Sequence, residues 1–393
     1  MNYTEVLKAR CKELNLNYVG IRGNPFAPIC VIGEAPGDEE NKSGLPFVGA
    51  SGKEQDRMLH EAGIAPNEVW FTNPYKVQPP NNDLSLLETR GIPPDLYENQ
   101  FYEELRQYKP TIIICAGATA MKLLCPQTGK RRGQKIEFLI GKWRGSILTS
   151  PSHILTWSHY VIPVQHPAYI LREWSERQIS VMIYEKAKEE YEYMRKFGKL
   201  QPLPERQFLL APKFPTLYEF LTPLIEKRTR ISVDVELLWQ RQNKSLGLES
   251  RRLLYTIAIA PSPYLATSFC LWDYTEQETI GLFALLSELF QKCPQIGQNY
   301  LSFDCHWLGT VGLRPNVNLV DDTLVRHHVL WIELPHKLDF QAMHLTREPF
   351  WKDEAHHWYV GADKFALLRY NAKDAAVTYE IFLEQEKELN CQA

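Results

Sequence analysis

The chain has 393 residues, 44% hydrophobic, 12% aromatic and 23% charged, a soluble globular composition with more chain than one core usually organises. Net charge is −3, from 44 Lys and Arg against 47 Asp and Glu, so wholesale electrostatic wrapping of nucleic acid is not indicated and basic contacts are confined to short runs such as Lys130 to Arg132. No run of about 18 apolar residues is present to span a membrane, and the scattered cysteines, with no CxxC pair, fit thiols of a reducing cytoplasm rather than a disulfide framework or zinc ribbon.

MNYTEVLKARCKELN reads as an ordinary first helix, not a signal peptide. ICVIG (29–33), VWFTN (69–73), TIIICAG (111–117) and HYVIPVQHP (159–167) read as strands. Helical patterns separate them, in SGKEQDRMLHEAGI, ENQFYEELRQY and GATAMKLL. That alternation predicts a parallel sheet covered on both faces. A helix over 177–197 ends in GKLQPLPERQ, whose Gly and Pro mark a boundary. RISVDVELL, LLYTIAIA and YLATSFCLW then give three successive strands, followed by helical FALLSELFQKC and a terminal helix, NAKDAAVTYEIFLEQEKEL. The fold class expected is α/β in two domains, 1–198 and 207–393.

In the first half, three strands end on chemistry. ICVIG runs into Glu34, VWFTN ends on Asn73 and HYVIPVQHP reaches His166. Open parallel sheets place ligand crevices at such carboxyl ends. Between them, GEAPGDEENKSGLPFVG (33–49) sets Glu34 and Glu40 beside Phe47 on a glycine-bounded corner. This motif, TNPYK (72–76) and HPAYILR (166–172) resemble those of family-4 uracil-DNA glycosylases, over roughly residues 1–195. The resemblance implies a glycosylase-like domain with a three-layer parallel sheet. Cleaving an N-glycosidic bond makes the sugar cationic and the departing base anionic. By the resemblance, Glu34 handles the water or the cation, His166 assists the leaving base, Phe47 stacks on it and Asn73 reads its edge. Glu40 would line the pocket where the methyl of thymine must be refused. The family's iron–sulfur cluster is not expected, because Val77 stands where a cysteine would follow Lys76 and Cys11 lacks a close partner. Gln78 replaces an expected Arg, and Ala168 replaces a small hydroxyl residue. An inert domain serving DNA binding or base sensing is the alternative those losses keep open.

In the second half, RISVDVELL puts Asp234 and Glu236 two apart on an apolar strand, hence on one face. Two acids inside a β pattern are costly unless they hold cations. IGQNYLSFDCHWL supplies Asn299 and, at a helix start, Asp304; RYNAKDAAVTYEI spaces Tyr370 and Asp374 by one helical turn. Four carboxylates and a Tyr suit phosphodiester hydrolysis with two Mg²⁺ or Mn²⁺ ions held by Asp234, Glu236, Asp304 and Asp374. This pattern resembles the 3′–5′ proofreading exonuclease domain of DNA polymerases, in the style of bacteriophage family-A enzymes, with VDDT (320–323) and HKLDF (336–340) as secondary landmarks. The resemblance implies a ribonuclease-H-like fold with a mixed sheet, catalytic roles for the acids and Tyr370, and a substrate contact at Asn299.

The expected substrate is DNA, with single-stranded or frayed 3′ ends and uracil as a candidate base; RNA remains an alternative. Too few residues follow Asp374 for a polymerase domain, so a separate polymerase partner is expected, or a chain that is the front part of a longer polymerase. The expected setting is the cytoplasm of a bacterial or phage-infected cell, with no membrane contact. A non-enzymatic polymerase accessory is the third reading. His327, His328, His336, His344, His356 and His357 crowd one segment, but adjacent histidines are expected to point apart and no cysteine-bearing ligand spacing accompanies them, so ordinary surface or structural histidines are expected rather than a zinc site.

Overall fold

A computed structural model describes residues 2–132, 135–240, 251–355, 358 and 362–392. His356 and His357 lie outside these described residues. The chain divides into two compact units, Met1–Pro202 and Leu203–Ala393. None of the described helices is long and apolar enough to cross a membrane.

In the first unit, β1 (Arg22–Gly23), β2 (Ile29–Ile32), β3 (Val69–Thr72), β4 (Ile112–Ala116) and β7 (Tyr160–Val164) form a sheet of order β1-β3-β2-β4-β7. Short β5 (Lys130–Arg132) and β6 (Lys135–Glu137) pair separately as an antiparallel hairpin. The four long strands pair in parallel. Only the two-residue edge β1 is antiparallel, against β3, which departs from the all-parallel expectation. β2, β3, β4 and β7 are buried throughout because both faces are covered. Cys30, Ile32, Trp70, Ile113 and Cys115 pack on one face against Phe101 and Leu105 of helix Pro94–Tyr108 and Met121 and Leu124 of helix Ala118–Leu124. Helix Arg177–Phe197 buries Val181, Tyr184 and Ala187 and packs on β4 and β7. With four strands parallel, residues 34, 73, 117 and 166 emerge on one rim.

The second unit holds a mixed sheet of β8 (Gln207–Leu210), β9 (Ile231–Gln240), β10 (Arg251–Ser262), β11 (Leu265–Cys270), β12 (Gln295–Gly297) and β13 (Val320–Asp322). Their order is β13-β12-β9-β10-β11-β8. β9, β10 and β11 are antiparallel neighbours, whereas β8, β12 and β13 join in parallel. Period-two alternation sorts β9: Val233 and Val235 enter an apolar core with Leu217, Leu221, Leu282, Leu286 and Leu289. Asp234 and Glu236 therefore face the opposite side, where helix Lys364–Gln392 packs. That contact is made of alanines, Ala258, Ala260 and Ala266 against Ala372, Ala375 and Ala376. Such small side chains let the helix backbone come close to the sheet, and this brings Asp374 to the strand that carries Asp234 and Glu236.

Candidate active sites

In the first unit, Glu34, Glu40, Phe47, Asn73 and His166, all singled out from the sequence, line one cleft of about 1050 Å³. Phe47 sits at φ +56, a backbone conformation uncommon for a bulky residue. Its ring lies 5.4 Å from that of Phe71 and 6.5 Å from that of His166. Two glycines make the corner feasible. A Cβ on Gly52 would meet the Phe47 carbonyl carbon and oxygen at 2.1 Å, and one on Gly33 would lie 2.5 Å from Asn73 Oδ1 and 2.7 Å from Phe47 Cζ.

Glu40 is buried, and its carboxylate is held by backbone amides. Oε1 accepts the N–H groups of Val48 at 3.1 Å and Gly49 at 2.8 Å, and Oε2 accepts that of Gly37 at 3.1 Å. Glu40 thus ties the acidic turn to the Phe47 corner while it lines the cleft. Glu34 is half-buried, and its Oε2 accepts the hydroxyl of Thr119, a contact that the sequence reading missed. Thr119 lies on the helix after β4, and a fourth strand end turning onto the same rim was the signal that could have found it.

His166 caps a short helix, its Nδ1 accepting the Ala168 N–H at 3.2 Å, so the neutral ring carries its proton on Nε2. Burial, followed by the nearby Arg172, pushes its pKa down to about 4 against the opposing pull of Glu40. Asn73 is buried at the end of β3. The following turn is anchored by Lys76, whose Nζ meets Glu104 Oε2 at 2.9 Å in a fully buried pair. Gln78 donates to Asp38 at 2.5 Å and Asn82 at 2.9 Å.

The residues around Cys11 do not fit an iron–sulfur cluster. Cys11 packs with Val77, Leu87, Ile92 and Tyr97, with Leu14 alongside, so a single thiol faces an apolar patch. Cys30, Cys115 and Cys125 belong to a different core cluster.

In the second unit, the carboxylates of Asp234, Glu236 and Asp374 converge, with one oxygen from each lying within 4.8 Å of the others. Among the described residues this is the one group of three or more His, Cys, Asp or Glu with such spacing. Asp304, expected as a fourth ligand, stands outside that trio. It is buried at the start of helix Asp304–Thr310, and its Oδ1 accepts the N–H of Val235 at 3.0 Å. Asn371 donates to Asp234 Oδ2 at 2.6 Å and is itself held by the Ser268 hydroxyl at 2.8 Å.

Both oxygens of Asp374 are engaged. Trp351 Nε1 donates to Oδ1 and Lys352 Nζ to Oδ2, each at 2.5 Å, and Lys352 also reaches the Tyr370 oxygen at 3.2 Å. Burial, then Asp374, Asp304 and Glu236, holds Asp234 well above the usual carboxylate range, with Lys352 opposing. Glu236 is pushed up to about 7 by burial and Asp374. Crowded carboxylates of this kind are relieved by a divalent cation, so the donor set fits magnesium or manganese.

A cleft of about 510 Å³ opens beside the acids, lined by Asn299, Lys352, Tyr370 and the 336–339 segment. Asn299 holds φ +58, its N–H donating to Asp322 at 2.9 Å. Adjacent His327 and His328 differ in exposure, the first buried and the second exposed, yet both meet one further imidazole. His327 Nδ1 meets His336 Nδ1 at 2.8 Å and His328 Nδ1 meets His336 Nε2 at 3.0 Å, because a turn brings His336 back between its two neighbours. His336 thereby spends both ring nitrogens on other imidazoles.

Residues 21–193 match the model of the uracil DNA glycosylase superfamily. The chain is 31% identical over 198 residues to a type-4 uracil-DNA glycosylase of Thermotoga maritima, a match covering 47% of this chain and 92% of that protein. Among solved structures it is similar to the catalytic core of RRP6 from Trypanosoma brucei (C496S mutant), with 17% identity and a TM-score of 0.36, covering 47% of this chain and 48% of that one. It is also similar to the Aedes aegypti Nibbler EXO domain, with 15% identity and a TM-score of 0.37, covering 49% of this chain and 93% of that one.

Proposed function

The chain belongs, through residues 21–193, to the uracil-DNA glycosylase superfamily, and from that premise we propose a DNA repair enzyme with two activities. The first unit excises uracil, and the second trims DNA from the 3′ end with divalent ions. The observation that carries the reading is that each unit gathers its own set of groups: Glu34, Phe47, Asn73 and His166 around one cleft, and three converging carboxylates beside Tyr370 at the other.

At the first site, the base lies against Phe47 with its edge on the Asn73 amide. Glu34, oriented by Thr119, faces the cationic sugar or its water. His166, kept neutral by burial, donates its Nε2 proton to the departing base as negative charge develops.

At the second site, Asp234, Glu236 and Asp374 would hold the ions, with Asp304 beside them bonded to the β9 backbone at Val235. Bound there, divalent ions supply an activated water and stabilise the leaving oxygen. Tyr370 orients the incoming water through its hydroxyl, which burial and the surrounding carboxylates keep protonated. Asn299, on the cleft wall, contacts the terminal nucleotide. A DNA polymerase is the partner we propose for the second unit.

End-labelled single-stranded DNA with one uracil tests both halves. Alkali-labile sites formed in EDTA, and a 3′-shortening ladder that appears on adding Mg²⁺, are expected. Absence of the alkali-labile sites or of the ladder would overturn the two-activity proposal. A second reading, with the first unit as an inert base reader, is favoured by Gln78, which stands in place of an expected Arg and spends its amide on Asp38 and Asn82. It predicts the ladder alone.

A further inference from the structure

Lys352 is bonded to one of the three carboxylates that converge in the second unit, Asp374. Asp374 Oδ1 is committed to the indole of Trp351, which is 2% exposed and set in an apolar cluster with Leu338, Val377 and Ile381. Oδ2 is therefore the oxygen that Asp374 can turn to an ion, and it is the one that accepts Lys352 Nζ at 2.5 Å. A magnesium ion sits about 2.0–2.1 Å from a ligating oxygen. Ammonium and ion on one oxygen would then be close neighbours, and like charges that close repel strongly where water is scarce. Lys352 has somewhere to go. Its side chain is 23% exposed, and it lines the open cleft shared with Tyr370 and Asn299.

We propose that Lys352 is a built-in competitor for the divalent ion, a tethered cation that neutralises Asp374 until an ion displaces it into the substrate cleft. The inference rests on the metal-dependent reading of the second unit. Its consequence is a threshold: the acids hold their ions more weakly than three converging carboxylates otherwise would, and the anionic backbone of DNA in the cleft would offer the displaced ammonium a new partner.

The test is the affinity of the full chain for Mn²⁺, read from the free-ion electron paramagnetic resonance signal in wild type, Lys352→Gln, Lys352→Arg and Asp374→Asn. Lys352→Gln is expected to bind about tenfold more tightly, the effect of roughly one pKa unit of lost electrostatic opposition. Lys352→Arg is expected to keep the weaker wild-type affinity. Mn²⁺ should also raise the melting temperature of Lys352→Gln more than that of wild type, which confirms that the variant is folded. Equal affinity in wild type and Lys352→Gln, with binding lost in Asp374→Asn, overturns the competitor role and leaves the nuclease reading standing. Absence of any Mn²⁺ binding sensitive to Asp374→Asn overturns both.

Discussion

Glu40 accepts the backbone N–H of Gly49 through Oε1 at 2.8 Å, and this bond, across nine residues, closes the acidic turn onto the Phe47 corner. The same carboxylate also holds the amides of Val48 and Gly37. A carboxylate that bonds three amides is a structural brace as well as a pocket wall. Glu40→Ala is expected to cost about 2–4 kcal/mol of stability, because charged hydrogen bonds are lost and amides are left unpaired. Glu40→Gln should cost less, since its amide keeps one acceptor oxygen. Urea unfolding of the two variants checks the order.

Gly33 marks how tightly Asn73 and Phe47 are packed. Gly33→Ala would drive a methyl into both, since the ideal Cβ falls 2.5 Å from Asn73 Oδ1. A misplacement of about 1 Å in positioning groups can cost on the order of 100-fold in rate. A fall of about that size in kcat/KM on uracil DNA is expected, with the circular dichroism spectrum unchanged.

Thr119 supplies the hydroxyl that Glu34 accepts. Thr119→Val keeps the shape and removes the donor, and is expected to lower the single-turnover rate of uracil excision about tenfold. Thr119→Ser, which restores the hydroxyl, should recover most of the loss, an outcome that a purely packing role for the methyl group would not give.

Glu236 predicts the pH behaviour of the second site. Its folded pKa is raised from 4.5 to about 7, so the fold retains a proton that the unfolded chain has released. Its contribution to stability is therefore full below about 4.5 and lost as pH rises through about 7. In EDTA, the wild type should lose stability across that window relative to Glu236→Gln. Because ion binding needs the carboxylate, the Mg²⁺ concentration giving half the maximal trimming rate should fall between about pH 6 and pH 8.

Local pattern carried much of this architecture. The alternation of Val233, Asp234, Val235 and Glu236 placed two acids on one face of β9, and the turn spacing of Tyr370 and Asp374 placed both near Lys352. Glu34, Asn73 and His166 were legible because each follows an apolar strand, and parallel pairing delivers strand ends to one rim. What escaped depends on partners far apart in sequence. Lys352 meets Asp374 across 22 residues and lies in a segment without helical or strand period. Thr119 reaches Glu34 across 85 residues, and no local spacing signals that bond. The edge strand β1 holds two residues, too few to show any period. The histidine contacts escaped for the same reason: neighbours on a helix diverge, but His336, arriving from a later turn, gives both a common partner.

If one chain carries two separate chemistries, a lesion in either site should leave the other intact. Wild type, Glu34→Ala and Asp234→Ala are assayed side by side on end-labelled DNA containing one uracil, in EDTA for abasic sites and in Mg²⁺ for shortening. Glu34→Ala is expected to lose the abasic sites and keep the ladder, whereas Asp234→Ala should lose the ladder and keep the abasic sites. A ladder that survives Asp234→Ala, or abasic sites that survive Glu34→Ala, would contradict that separation.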